Sequence, residues 1–165
     1  MPEPQRFVRV GFVERQLNRL IDVLANRGLG PAYTYRLEVV GRKSGRLYST
    51  PVNLMRRNGR PYLVAPRGWT EWVKNALAAG KVRVCRGRSV QEFAVRLVPP
   101  AERPPILKDY LERYRGAVQR YFEVPAGSPV EAFKAIVEDY PVLELVPPGE
   151  SKDAAPAAAA PPSRS

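Results

Sequence analysis

From Phe7 to Asn26, Val10, Val13, Leu17, Leu20, Ile21 and Leu24 recur at intervals of three and four, with Arg9, Arg15, Arg19 and Asp22 off the stripe. That period predicts an amphipathic helix, which Gly28, Gly30 and Pro31 stop. The period then falls to two. Tyr33, Tyr35, Leu37 and Val39 alternate with Thr34, Arg36 and Glu38, the pattern of a strand with one buried face. Gly41-Arg42-Lys43-Ser44-Gly45 turns the chain into a second strand through Tyr48, Thr50, Val52 and Leu54. Pro51 has no N–H, so this strand needs a free edge or a bulge at that point. Asn58-Gly59 then turns into a third strand, Tyr62 to Ala65.

Thr70 stands where it can cap a short helix ending at Gly80, with Trp72, Ala76 and Ala79 on one face. Val82 to Arg86 and Val90 to Val98 form a further strand pair, in which Phe93, Val95 and Leu97 face one way and Glu92, Ala94 and Arg96 the other. Ile106, Leu107, Tyr110, Leu111, Tyr114, Val118 and Phe122 follow a helical period. Ser128-Pro129-Val130-Glu131 is a capping box with proline at the first helical position, predicting a helix that runs to Tyr140. Val142 to Val146 supplies a closing strand. Five or six antiparallel strands with helices at the ends make an α+β domain of small-barrel type. Residues 1–146 form that domain. From Pro147 to Ser165 the chain is rich in Pro and Ala and reads as a disordered extension.

Charge narrows the partners. Lys plus Arg number 27 against 16 Asp plus Glu, a net +11. The tail charges Glu150, Lys152, Asp153 and Arg164 cancel, so the folded part carries the whole excess. An anionic partner is expected: nucleic acid, acidic lipid, or a phosphorylated or polycarboxylate small molecule. Histidine is absent, which excludes Ser-His-Asp and Cys-His catalysis, His-ligated zinc and haem on a proximal His. The one cysteine, Cys85, excludes an internal disulfide and Cys-cluster metal sites, so no metal is expected. No apolar run approaches the roughly 18 residues of a membrane span. The N-terminus lacks the basic-then-apolar order of a secretory signal. The expected location is the cytoplasm.

Two segments carry candidate chemistry. In Gly41-Arg42-Lys43-Ser44-Gly45-Arg46, glycines bracket three donors of different kinds on a hairpin tip, so successive amides could face one anion while Arg42 and Lys43 add charge. The plainer reading of this turn is a solvated hairpin. The second segment is Ala65-Pro66-Arg67-Gly68, a strand end before a helix N-terminus, with Trp72 and Asn75 three apart on that helix. Here the plainer reading makes Trp72 core and ties Asn75 to a neighbouring loop. Cys85 is expected to be a small buried residue. The arginine groups Arg56, Arg57, Arg60 and Arg83, Arg86, Arg88 are expected to form a solvated face.

The order L-x-V-x-GRKSG-x-x-x-STP, then the strand Tyr62-Leu63-Val64-Ala65-Pro66, then W-V-K-N-A-L-A-A-G, resembles the deazaflavin-dependent nitroreductase family. The resemblance covers about Tyr33 to Val98 and continues more weakly to Leu145. It implies a split β-barrel of the FMN-binding type and coenzyme F420, whose phosphodiester and oligo-γ-glutamate tail suit Arg42, Lys43 and Ser44. It further implies that Tyr48, Ser49, Thr50, Pro51 and Val52 lie along the deazaflavin and its linker. Ala65, Pro66, Arg67 and Gly68 would meet the ring or phosphate, and Trp72 and Asn75 would complete the groove. The implied reaction is hydride transfer from reduced deazaflavin to a small organic acceptor, a quinone or nitro compound. Tyr110, Tyr114 and Tyr121, spaced on one side of a helix, are the candidates near the substrate. Their plainer reading is packing on the barrel with hydroxyls outward.

Three other readings stand beside this one. Flavin mononucleotide could replace F420 within the same fold. A basic non-enzymatic module binding nucleic acid would use the net charge, although no RRM, zinc-finger or helix-turn-helix pattern is present. The N-terminal helix, with Arg6, Arg9, Arg15 and Arg19 beside its apolar face, could lie weakly on acidic lipid, but packing across the barrel is the preferred role.

Overall fold

The period-two segments form strands, and their alternation sorts side chains to the two sides of one barrel. The structure is a computed structural model that describes residues 33–150, so the N-terminal helix and the tail beyond residue 150 lie outside the described residues. The strands are β1 (Thr34–Val40), β2 (Leu47–Arg57), β3 (Arg60–Val64), β4 (Lys81–Arg86), β5 (Ser89–Leu97) and β6 (Val142–Val146). They close in the order β1-β2-β3-β6-β5-β4, every pairing antiparallel, with β4 returning to β1 through Arg36–Cys85, Leu37–Val84 and Glu38–Arg83. Leu37, Val39, Leu54, Leu63, Val84, Phe93, Leu143 and Leu145 fill the interior.

Strand β2 serves two neighbours. It pairs with β1 through Leu47–Asn53 and with β3 through Leu54–Arg57. Pro51, opposite Arg36, therefore falls where β2 has a neighbour on one side only, the free edge that its missing N–H requires.

A second core lies outside the barrel wall. Met55, Tyr62, Val64 and Val142 meet Ile106, Leu107, Tyr110, Leu111 and Tyr114 from helix α2 (Arg103–Val118). The helix begins earlier than its apolar period suggests, with prolines at its first turn, and departs from helical geometry at Tyr114 (φ −115°, ψ 19°). It gives way to a 3-10 turn at Gln119–Tyr121. With helices set against a closed antiparallel sheet, this is the expected α+β split barrel.

The short helix α1 (Glu71–Ala79) covers one part of the barrel. Its buried face is Val73, Asn75 and Ala76 rather than Trp72, Ala76 and Ala79; Ala79 is exposed. The chain enters α1 from Ala65 and Trp69, and Val73 packs on those two residues, which rotates the helix away from the expected face. Gly80 closes it in the left-handed conformation (φ 73°), its N–H donating to Ala76 O at 2.9 Å. Thr70 holds the N-cap position, yet its hydroxyl makes no capping bond.

The segment before β6 differs most from expectation. Instead of one helix from Ser128 to Tyr140 there are two 3-10 turns, Val130–Phe133 and Val137–Asp139. Ser128 caps nothing; its carbonyl accepts from Lys108 Nζ at 2.8 Å. Pro141 cannot supply the N–H that the Val137 carbonyl would need in an α-helix. Other groups take the carbonyls: Arg103 Nη1 donates to Val137 O at 2.7 Å and Trp69 Nε1 to Glu138 O at 2.8 Å. Arg103 is 2% exposed, and its Nε also donates to Val98 O at 2.8 Å.

Two outcomes test this packing. Arg103→Met removes both donors from buried carbonyls and should cost about 3 kcal/mol, read as a lower urea midpoint. Cys85 is 1% exposed, and burial pushes its thiol above the usual range. At neutral pH a thiol-exchange reagent should therefore leave it unmodified until denaturant is added, and then label one site per chain.

Candidate functional site

The GRKSG hairpin tip is built around a tyrosine. Gly41 N–H donates to Arg46 O at 2.7 Å and Gly45 N–H to Gly41 O at 2.9 Å, with Gly45 in the left-handed region (φ 69°). A Cβ on Gly41 would come within 2.5 Å of the Tyr48 ring and 2.8 Å of Ser44 Oγ, so only glycine fits beneath that ring. Ser44 Oγ lies 3.1 Å from Tyr48 Oη and accepts from Arg46 N at 3.2 Å. The main-chain N–H groups of Gly41, Gly45 and Arg46 are thus satisfied inside the turn. The Arg42 N–H goes to Asn75 Oδ1 at 3.2 Å. Of the tip's main-chain N–H groups, those of Gly41, Arg42, Gly45 and Arg46 are therefore engaged within the protein.

Asn75 joins the tip to α1. Its Oδ1 also accepts from Arg42 Nη1 at 2.7 Å, and the same guanidinium nitrogen reaches Glu71 Oε2 at 2.8 Å. The hydrogen bond from Arg42 holds the Glu71 carboxyl below its ordinary range. Asn75 is thus tied to a neighbouring loop, as its plainer reading held, and that loop is the basic tip. Among the described residues, Lys43 has no ion pair.

Two cavities open beside this junction. One, of about 440 Å³, is lined by Arg42, Lys43, Ser44, Tyr48, Ser49, Thr50, Arg67, Trp72 and Asn75, together with Val39, Gly41, Thr70 and Glu71. The other, of about 660 Å³, is lined by Thr50, Pro51, Val52, Ala65, Pro66, Arg67 and Trp72 from the expected set, and by Tyr33, Tyr110 and Tyr121 among others. Thr50, Arg67, Thr70 and Trp72 belong to both, so the two cavities adjoin. Their combined size is that of a sizeable ligand site. The first cavity sets Arg42, Lys43 and Arg67 against Glu71; the second sets Tyr33, Tyr110 and Tyr121 beside Arg67, Arg115 and Arg120, so basic side chains line both.

Of the residues expected to meet a coenzyme, Gly68 alone lines neither cavity. It makes the turn instead: with φ 89°, it donates to Ala65 O at 3.1 Å and accepts from Thr70 N at 2.8 Å. Thr70 is the residue sequence reasoning missed. It is 6% exposed, lines both cavities, and its Oγ1 has no hydrogen-bond partner. A buried hydroxyl without a partner is costly, and this one has almost no surface of its own open to the cavities that Thr70 borders. Its sequence position resembles a cap, which concealed it. Glu71 and Gly41 were likewise unassigned to the site.

The three tyrosines separate. Tyr110 is 2% exposed, its Oη accepting from Asn53 Nδ2 at 3.5 Å, and burial pushes its hydroxyl far above the usual range. Tyr114 lines neither cavity; its hydroxyl donates to Leu54 O at 3.3 Å and its ring packs on Tyr33 and Tyr110. Tyr121 is half-buried on the cleft wall, with the Arg120 guanidinium 4.9 Å from its ring centroid. The hydroxyls of Tyr110 and Tyr114 turn inward, not outward. Among the described residues, no cluster of His, Cys, Asp or Glu could hold a metal ion, and no helix is long and apolar enough to cross a membrane.

Comparison with known proteins agrees with this architecture. Among solved structures, a protein of unknown function from Agrobacterium tumefaciens shares 19% identity at a TM-score of 0.51, covering 87% of this chain. This chain spans 58% of the length of that protein. A protein crystallised as a domain-swapped dimer shares 20% identity at a TM-score of 0.50, over 81% of this chain and 96% of its own. An F420-H2 dependent reductase shares 21% identity at a TM-score of 0.47, over 69% of this chain and 94% of its own. No curated protein matches the sequence. Residues 26–124, which carry the hairpin tip, both cavity floors and α1, match the family described as F420H(2)-dependent quinone reductase. The chain belongs to that family of deazaflavin-dependent oxidoreductases.

Proposed function

We propose that the chain binds coenzyme F420 along the whole cleft and directs a hydride from its reduced form to an organic acceptor of the quinone or nitro class. The observation that carries this reading is a pair of adjoining cavities, sharing Thr50, Arg67, Thr70 and Trp72, whose walls combine basic side chains with aromatic rings. F420, a flat deazaflavin joined to a phosphodiester and an oligo-γ-glutamate tail, calls for both kinds of wall. Family membership supports both the coenzyme and the reaction class.

On this reading Arg42, Lys43, Ser44 and Arg67 receive the anionic part, and Tyr48 and Ser49 border the linker. Pro51, Val52, Ala65 and Pro66 flank the ring, and Trp72 stands at the junction. The Thr70 hydroxyl is buried and unpartnered, and a turn of its side chain on binding would give it a polar atom of the coenzyme as partner. When bound, reduced F420 supplies the hydride, so the chain's part is to orient the reactants and exclude water. Tyr110 keeps its proton across the physiological range because burial disfavours the phenolate, so it acts as a hydrogen-bonding wall and not as an acid. Tyr121, on the same cavity, faces the acceptor side, and Tyr114 supports the wall from behind.

The reading is tested by titrating the purified protein with F420 and following coenzyme fluorescence; absence of binding at micromolar concentrations sinks it. Flavin mononucleotide in a parallel titration measures the alternative cofactor. Thr70→Val should weaken F420 about tenfold, the worth of one lost hydrogen bond, while leaving the melting temperature unchanged or slightly raised. Thr70→Ser should retain affinity. Lys43→Glu should also weaken binding about tenfold, with stability changed by less than about 0.5 kcal/mol, as for other exposed sites. Arg42→Glu should lose both affinity and some stability, since that side chain also anchors the tip.

A further inference from the structure

Glu71 is the one acidic side chain among the residues lining the cavity that holds Arg42 and Lys43. Its Oε2 accepts from Arg42 Nη1 at 2.8 Å, and its Oε1 lies 3.5 Å from Lys74 Nζ. Arg42 does not depend on it for position. The Arg42 main-chain N–H and Nη1 both donate to Asn75 Oδ1, at 3.2 and 2.7 Å, and Asn75 is buried. The two partners also differ in exposure: the Arg42 side chain is 25% exposed and that of Glu71 67%. One is held in the wall by Asn75; the other is an exposed carboxylate. A cleft suited to a polyanion has thus paired its anchored guanidinium with an exposed carboxylate of its own.

We infer that Glu71 is an internal stand-in for the coenzyme's anionic tail, satisfying Arg42 until a phosphate or carboxylate of the ligand displaces it. The inference rests on the F420 reading for the identity of that ligand. A solvent-exposed pair is weak enough to be exchanged for a charge-assisted bond to an incoming anion. Every binding event then includes the loss of this pair and the approach of a like charge to Glu71. The residue lowers affinity for charged ligands and leaves a neutral deazaflavin ring unaffected. Its effect is a threshold: a ligand must bring enough negative charge to take Arg42.

The expected sign is opposite to that for removing a supporting ion pair. Glu71→Gln keeps the shape and leaves Arg42 on Asn75. Wild type and Glu71→Gln are titrated with F420 carrying its oligoglutamate tail and with the deazaflavin riboside that lacks phosphate and tail, at low and raised salt, with melting curves for each protein. Glu71→Gln should bind the tailed coenzyme about five- to tenfold tighter at low salt, the gain shrinking as salt screens it. The riboside should bind both proteins equally. Unchanged or weaker binding of the tailed coenzyme overturns the inference, and so does an equal gain for the riboside. If wild type binds neither chromophore, the F420 reading falls and tri-γ-glutamate becomes the calorimetric probe. A tighter complex with Glu71→Gln then upholds the stand-in role, and no difference overturns it.

Discussion

Closure of the barrel depends on how the chain is delivered to β6. That strand lies between β3 and β5, pairing Leu143 with both Leu63 and Leu97, so without it the sheet has two open edges and the interior loses Leu143 and Leu145. Delivery is enforced by backbone carbonyls. Arg103 and Trp69 donate to Val137 O and Glu138 O, and Pro141 forbids a helix from running on. Trp69 comes from the loop before α1 and Arg103 opens α2. The hydrogen bonds that aim β6 therefore also fix the two helices against the barrel, and with them the walls of the cleft.

Within that frame the cleft depends on a second, smaller junction. A hairpin tip usually has little to hold it, but here the carboxamide of Asn75 takes both the main chain and the side chain of Arg42. Asn75 is buried because α1 is rotated to place Val73 on Ala65 and Trp69. Apolar packing of the helix thus sets the position of a polar group, and the polar group sets the tip. Gly41 and Tyr48 complete the arrangement, since the ring lies where any larger residue at position 41 would stand. The basic residues keep their register with the adjoining cavity through this chain of contacts.

Much of this was legible in the sequence. Strand alternation marked β1, β2 and β5, while turn signals and place in the chain marked β3, β4 and β6; β3 and β6 are buried along most of their length and carry no period of two. The GRKSG, STP and W-x-x-N segments came together on one cleft as their order implied. Illegible features were those decided by distant groups. The 130–140 segment carries a helical period and a capping box, yet its carbonyls are claimed from residues more than 30 positions away. Thr70 has the sequence position of a cap, yet its hydroxyl makes no capping bond, which no local pattern announces. Gly68 reads as a site residue by its neighbours and proves to be the turn that sets them out.

Net charge illustrates the same limit. A surplus of +11 suggests a surface of free cations, but several of the arginines read as a solvated face are engaged by the chain itself. Arg57 pairs with Asp109, Arg60 with the buried Glu144, and Arg83 with Glu38; Arg86 donates to Thr34 O at 2.6 Å, and Arg96, outside that set, also pairs with Glu144. These groups brace strand edges around the barrel and do not form one continuous stripe for a nucleic-acid backbone. Basic side chains meet concave walls at Arg42, Lys43 and Arg67 in one cavity and at Arg67, Arg115 and Arg120 in the other. Concavity raises the value of each charge there, because low-dielectric walls focus the field that solvent would otherwise screen.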